Sequence, residues 1–153
     1  MQALAMRIIL SVSLLLATGC ITPLTEADLE KDLDRAASSV PALGRKRIIP
    51  IYAETKMAAW ALLADAKSDP SSQMSHRLSR GLASAARRGF GVVVGGPYPA
   101  LSDQVVLNAL TLNNEHPLGG MTIVFVSEKP PSEELRKAAK HADARLYHRE
   151  FRW

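Results

Sequence analysis

The chain has 153 residues, 47% of them hydrophobic and 22% charged, a balance that belongs to a globular chain and excludes a disordered or fibrous one. A single cysteine excludes an intrachain disulfide framework and a multi-cysteine metal site. The net charge of +4 is carried partly in clusters, and aromatic residues are scarce at 5%, so the core is expected to be Leu, Val, Ile and Ala.

The first element is an apolar run. Arg7 precedes Ile8 to Ala17, and Thr18-Gly19-Cys20 follows. A positive residue, about ten apolar residues and then small residues is the layout of a secretory signal peptide. The run is too short to cross a bilayer as a helix, which needs roughly 20 residues. Met6 is an alternative start that would leave Met6-Arg7 as a compact charged lead. Gly19-Cys20 at the end of the run resembles the lipobox of bacterial lipoproteins. Ala17 stands where that pattern usually has Leu, and Leu16 falls one residue early. Ala17-Thr18-Gly19 also meets the small-x-small rule of ordinary signal peptidase. Both readings cut between Gly19 and Cys20.

The resemblance implies that Cys20 becomes the mature amino terminus and carries lipid. Lipidation also removes the liability of a lone exposed thiol in an oxidising compartment. The organisation that follows is a signal peptide over 1–19, a lipidated tether over 20–25, and a single α/β periplasmic domain over 26–153. Ile21 in place of Asp implies, by the same resemblance, an outer-membrane protein facing the periplasm. Each buried methylene contributes about 0.8 kcal/mol, so several acyl chains make release negligible.

In the mature chain, Thr25 followed by Asp28 reads as a capping box for a helix over 26–38. A Ser-, Pro- and Gly-containing break follows. Arg45-Lys46-Arg47 leads into a short strand over 48–52, which Pro50 restricts to an edge or a bulge. Residues 53–67 carry no breaker and read as a helix. Ser68-Asp69-Pro70-Ser71 is a turn. A second helix spans about 72–88, with Met74, Leu78, Leu82 and Ala85 on one face. Phe90 to Val94 is a continuous apolar run, expected for a strand buried on both faces. Ser102 is expected to cap a helix over 103–113. Met121 to Val126 is a second buried strand. Pro130-Pro131-Ser132 opens a helix whose acidic start and basic end complement the helix dipole. Arg145 to Phe151 reads as a last strand, and its poor alternation places it at an edge. Strands alternating with helices predict right-handed crossovers. The fold expected is a three-layer α/β sandwich with a small, mostly parallel sheet of three or four strands, preceded by helices.

Chemistry is sparse in this pattern. Ligands of open parallel sheets bind beyond the carboxyl ends of the strands. Those positions hold Gly95 and Gly96 after one strand and Ser127 and Glu128 after another, so these four are the candidate ligand-binding residues. The Gly95-Gly96 spacing matches no phosphate-loop or dinucleotide pattern. His76, His116, His141 and His148 show no metal-ligand spacing, so no metal and no cofactor is expected. No nucleophile elbow is present, and an enzyme is not expected. Arg45, Lys46 and Arg47, with Arg77, Arg80, Arg87 and Arg88, form basic surface. A signal peptide and the lack of interleaved aromatic residues argue against nucleic acid as the partner. The reading is a lipid-anchored, non-catalytic binding or assembly module of the cell envelope. Its expected partners are the membrane, through the anchor, and an envelope protein of a secretion, pilus or surface-assembly system. The alternative is a periplasmic enzyme or small-ligand-binding domain using the loops after the central strands.

Overall fold

A computed structural model describes residues 23–40 and 43–153. The signal segment, the Gly19–Cys20 bond and Cys20 lie outside the described residues, as do Pro41 and Ala42. The elements run α1 (Glu26–Ala37), β1 (Lys46–Pro50), α2 (Lys56–Ser68), α3 (Gln73–Arg87), β2 (Gly91–Gly95), α4 (Pro99–Leu112), β3 (Met121–Val126), α5 (Glu133–His141) and β4 (Ala144–Arg149).

Local chemistry explains where the helices start. The Thr25 hydroxyl accepts the Asp28 amide at 3.2 Å and donates to the Asp28 carboxylate at 2.6 Å. That side-chain bond holds the Asp28 carboxyl below its ordinary range. α2 starts at Lys56, later than the apolar run suggests, because the Thr55 hydroxyl caps it by accepting the Ala58 amide at 3.1 Å. α4 starts at Pro99 and not after a Ser102 cap. Tyr98 is its N-cap, and the fixed φ and missing N–H of proline suit the first helical turn. Ser102 instead lies buried inside α4, its hydroxyl without a partner.

The four strands form one parallel sheet in the order β1-β2-β3-β4. β2 and β3 are central and buried along their whole length, with Val93 opposite Val124. β1 and β4 are the edges. Ile51 N–H donates to the Gly95 carbonyl and Gly91 N–H to the Arg45 carbonyl. In a parallel ladder bonding alternates along the strand, so the odd-numbered residues of β1 bond to β2 and the even-numbered ones face the open edge. Pro50 is even-numbered. Its absent N–H therefore costs no ladder bond and blunts the edge against foreign strands.

Strand order follows chain order, so successive right-handed crossovers place their helices on one side. Accordingly α2, α3, α4 and α5 pack with Val92, Val94, Ile123 and Phe125 in one cluster. α1 alone covers the other face, where Leu29, Leu33 and Ala37 pack with Val93, Val124 and Val126. The result is a three-layer α/β sandwich. Among the described residues one helix precedes the first strand, and α2 and α3 both fall between β1 and β2.

A buried polar network ties three helices of that layer, α2, α3 and α4, together. Asn108 Nδ2 donates to the Ala66 carbonyl at 2.7 Å and to Ser75 Oγ at 3.3 Å, while its Oδ1 accepts from Gln104 Nε2 at 2.9 Å. Asn113 Nδ2 likewise reaches Ser79 Oγ at 2.9 Å. Asn108→Leu is expected to strand the Ala66 carbonyl without a donor and to cost about 1–3 kcal/mol. Differential scanning calorimetry should show a melting point several degrees lower. An unchanged melting point would mean that the network contributes nothing to stability.

Candidate binding surface

A groove of about 800 Å³ lies at the carboxyl end of the sheet. One wall is a stripe of α2 at helical spacing, Lys56, Trp60, Leu63 and Lys67. The other wall is built by Pro97, Tyr98 and Pro99 after β2 and by Glu128, Lys129 and Pro130 after β3. The prolines stiffen both loops by fixing φ. Asp103 fixes the groove further. One carboxylate oxygen accepts the Ser132 amide at 2.8 Å and the other accepts the Ser132 hydroxyl at 2.6 Å. The same hydroxyl accepts the Leu135 amide at 3.1 Å and so caps α5. With Asp103 engaged in this way, Lys56, Lys67 and Lys129 face a single uncommitted carboxylate, Glu128.

Beside the groove, α2 turns apolar side chains outward. Met57 is 75% exposed and Trp60 is 62% exposed. Ala61 and Ala64 are exposed on the same side. The Lys56 ammonium stands 5.7 Å from the centre of the Trp60 ring, within cation–π range. A helix that buries Ala59 and Ala66 on one side and shows Met57 and Trp60 on the other departs from the usual pattern, in which the outer face of a surface helix is polar.

Of the four candidate ligand residues, the groove includes only Glu128. Gly95 and Gly96 have a packing reason. A Cβ on Gly95 would stand 1.9 Å from the Val126 carbonyl oxygen, and one on Gly96 would stand 2.1 Å from that of Ile51. Ser127 is fully buried. Its hydroxyl accepts the Lys129 amide at 3.4 Å, and its carbonyl accepts the Phe151 amide at 3.4 Å. The four stand at the ends of the adjacent strands β2 and β3, and of them Glu128 alone lines the groove.

The basic run divides. Lys46 pairs with Asp34 at 2.6 Å. Arg45 and Arg47 are exposed and, among the described residues, form no ion pair. They lie at the amino end of β1. α3 contains no acidic residue, and Arg77, Arg80 and Arg87 are exposed on it, as is its C-cap Arg88. A recess of about 360 Å³ beside the start of β1 is lined by Lys46, Arg47, Ser84, Arg88 and Phe90. A larger groove of about 530 Å³ runs along the open edge of β1 between α1 and α3, with Glu26 and Glu30 facing Arg47 and Arg77.

The histidines are scattered. His76, His116 and His141 are exposed on separate segments. His148 Nε2 lies 3.1 Å from the Ser127 carbonyl oxygen, and its ring centre is 6.3 Å from that of Phe125. Among the described residues no group of three His, Cys, Asp or Glu side chains is placed to hold a metal, and no helix is long and apolar enough to cross a membrane. Sequence reasoning treated Trp60 as part of an unbroken helical run and missed its exposure. The available signal was the composition of α2, which leaves no continuous polar face. No family model, no curated protein and no solved structure matches this chain.

Proposed function

We propose that the chain is a lipid-anchored cell-envelope protein, held at the outer membrane through Cys20, whose α/β domain acts as a non-catalytic binding or assembly module. Its protein partner belongs to a secretion, pilus or surface-assembly system. The observation that carries the reading is Gly19-Cys20 directly after the apolar run Ile8 to Ala17. Two features of the domain support a binding role. α2 shows Met57 and Trp60 to solvent, and exposed apolar patches of this kind mark interaction surfaces. The arginines of α3 and β1 give a second surface complementary to acidic groups. Tethering adds to both, because confinement to a membrane raises effective concentration toward a membrane-bound partner without any new contact.

Cys20→Ser tests the anchor. The wild-type chain should be recovered in the membrane fraction as a mature form beginning at Cys20 and carrying acyl groups by intact mass. The variant should remain uncleaved or appear as soluble periplasmic protein. A wild-type mature form without acyl mass, or a cleaved variant that still sediments with membranes, would remove the reading.

A further inference from the structure

We infer that the outward face of α2 is a lipid-facing surface, seating the carboxyl end of the sheet on anionic phospholipid headgroups; the inference rests on the lipid-anchor reading. The argument begins with covalent reach. Four peptide steps separate Cys20 from Leu24 and span at most roughly 14 Å. Leu24 packs against the same cluster as Tyr52, Phe151 and Trp153, at the carboxyl end of the sheet. Tyr52 lies four residues before Lys56, where α2 begins. An acyl group on Cys20 therefore holds this end of the domain at the bilayer, and α2 starts at that end.

The chemistry of α2 fits such a position. Trp60 carries an apolar ring with a polar edge, and tryptophan favours the membrane–water boundary. Met57 beside it is the most exposed large apolar side chain described. Lys56 and Lys67 stand at the two ends of the helix, and Lys129 lies across the groove from it. Lysines in this arrangement keep their ammonium groups at headgroup level while their stems lie along apolar surface. The carboxylates at this end are Glu54 before α2, Glu128 in the groove, Asp103 on Ser132, Glu133 and Glu134 in the first turn of α5, Glu150 after β4, and Glu26 and Asp28 in the first turn of α1. The outward stripe of α2 itself, Lys56, Met57, Trp60, Ala61, Ala64 and Lys67, carries no carboxylate, so the domain leans onto its α2 side.

A second copy of the chain is the weaker occupant. Met57 and Trp60, 75% and 62% exposed, would bury roughly 300 Å² if fully covered, well under half of the roughly 800 Å² that one partner contributes to a standard interface. The lipid-facing orientation also turns Arg45, Arg47 and Arg88 away from the bilayer, because they lie at the amino ends of the strands. These arginines, expected from sequence to reach either headgroups or a partner, are then left for a partner.

The test uses the mature chain purified from the envelope and reconstituted into vesicles of phosphatidylethanolamine and phosphatidylglycerol. Trp153→Phe leaves Trp60 as the sole tryptophan, and Trp60→Phe in the otherwise natural chain supplies the same signal by difference. Intact mass reports acylation independently. The expected result is an acylated chain whose Trp60 emission moves to shorter wavelength on the vesicles and is quenched by brominated acyl chains. Its quenching by aqueous acrylamide should fall severalfold, and vesicles of phosphatidylcholine alone or high salt should weaken the effect. An acylated chain whose Trp60 stays open to acrylamide overturns the inference and leaves the anchor standing. Trp60 shielded from acrylamide but untouched by brominated lipid assigns the face to a protein, and also overturns it. An unacylated chain overturns both.

Discussion

Val124→Asp is expected to leave no cooperatively folded domain at neutral pH. Val124 is fully buried in a central strand, opposite Val93 in β2. It points into the layer beneath α1, where Leu29, Leu33, Ala37, Val40, Leu43, Val93 and Val126 supply only apolar surface. None of these side chains offers a carboxylate a donor or a cation. Burying an unpaired charge costs several kcal/mol or more, against a total stability of about 5–15 kcal/mol for a typical domain. Desolvation raises the carboxyl pKa in the folded state, so the penalty is largest at neutral pH and is relieved as the pH falls. Tyr147→Asp is the control. Tyr147 is 42% exposed on the adjacent strand, and its replacement should change stability little. Circular dichroism melts of the two variants decide the matter. A Val124→Asp protein that melts cooperatively near the wild-type temperature would sink the strand assignment.

Gly95→Ala is expected to be nearly as damaging, for a steric reason. The added methyl would sit 1.9 Å from the Val126 carbonyl oxygen and 2.8 Å from its carbon. Both atoms are backbone, and Gly95 is in register with Val126 at the end of the β2–β3 ladder. Relief therefore requires the central strands to part. Overpacking a core costs about 1–3 kcal/mol where side chains can yield, and a clash with backbone should reach the top of that range or pass it. Gly119→Ala is the comparison, since no atom lies within 4 Å of its added Cβ and only its positive φ opposes the change. Urea titration should find Gly95→Ala much the weaker protein. Equal midpoints for the two would show that Gly95 is free to move, and would reopen Gly95-Gly96 as a ligand-binding turn.

The central strands were legible because burial on both faces leaves an unbroken apolar run, and Val92–Val94 and Ile123–Val126 carry one. The caps at Thr25 and Ser132 were legible because a hydroxyl and its helix amide are close in sequence. The start of α4 was misread because Ser102 has the side chain of a cap, while Pro99, three residues earlier, has the backbone of a first turn. Which face each helix covers was not legible. It depends on crossover handedness summed over the whole sheet, which no local window contains. The candidate surface was legible only at Glu128. Trp60 has the composition of a core residue, and its exposure follows from where α2 lies against α4. Gly95 and Gly96 were marked by position at the strand end, and only the distance to neighbouring carbonyls shows that packing accounts for them.

The agreement of strand order with chain order bears on how the domain assembles during synthesis. Lys46 meets Gly91, Val92 meets Ile123, and Met121 meets Ala144, so each pairing closes a shorter loop than the one before. A chain emerging amino end first can therefore lay down each strand on a neighbour already present, never inserting one between two earlier strands. The last residues then close back over the first. Arg149 donates to the Ser39 carbonyl at 3.3 Å, and Phe151 and Trp153, ring centres 5.1 Å apart, lie on the cluster formed by α1. Loss of the final three residues would leave the ladders intact but strip the seal from the layer beneath α1.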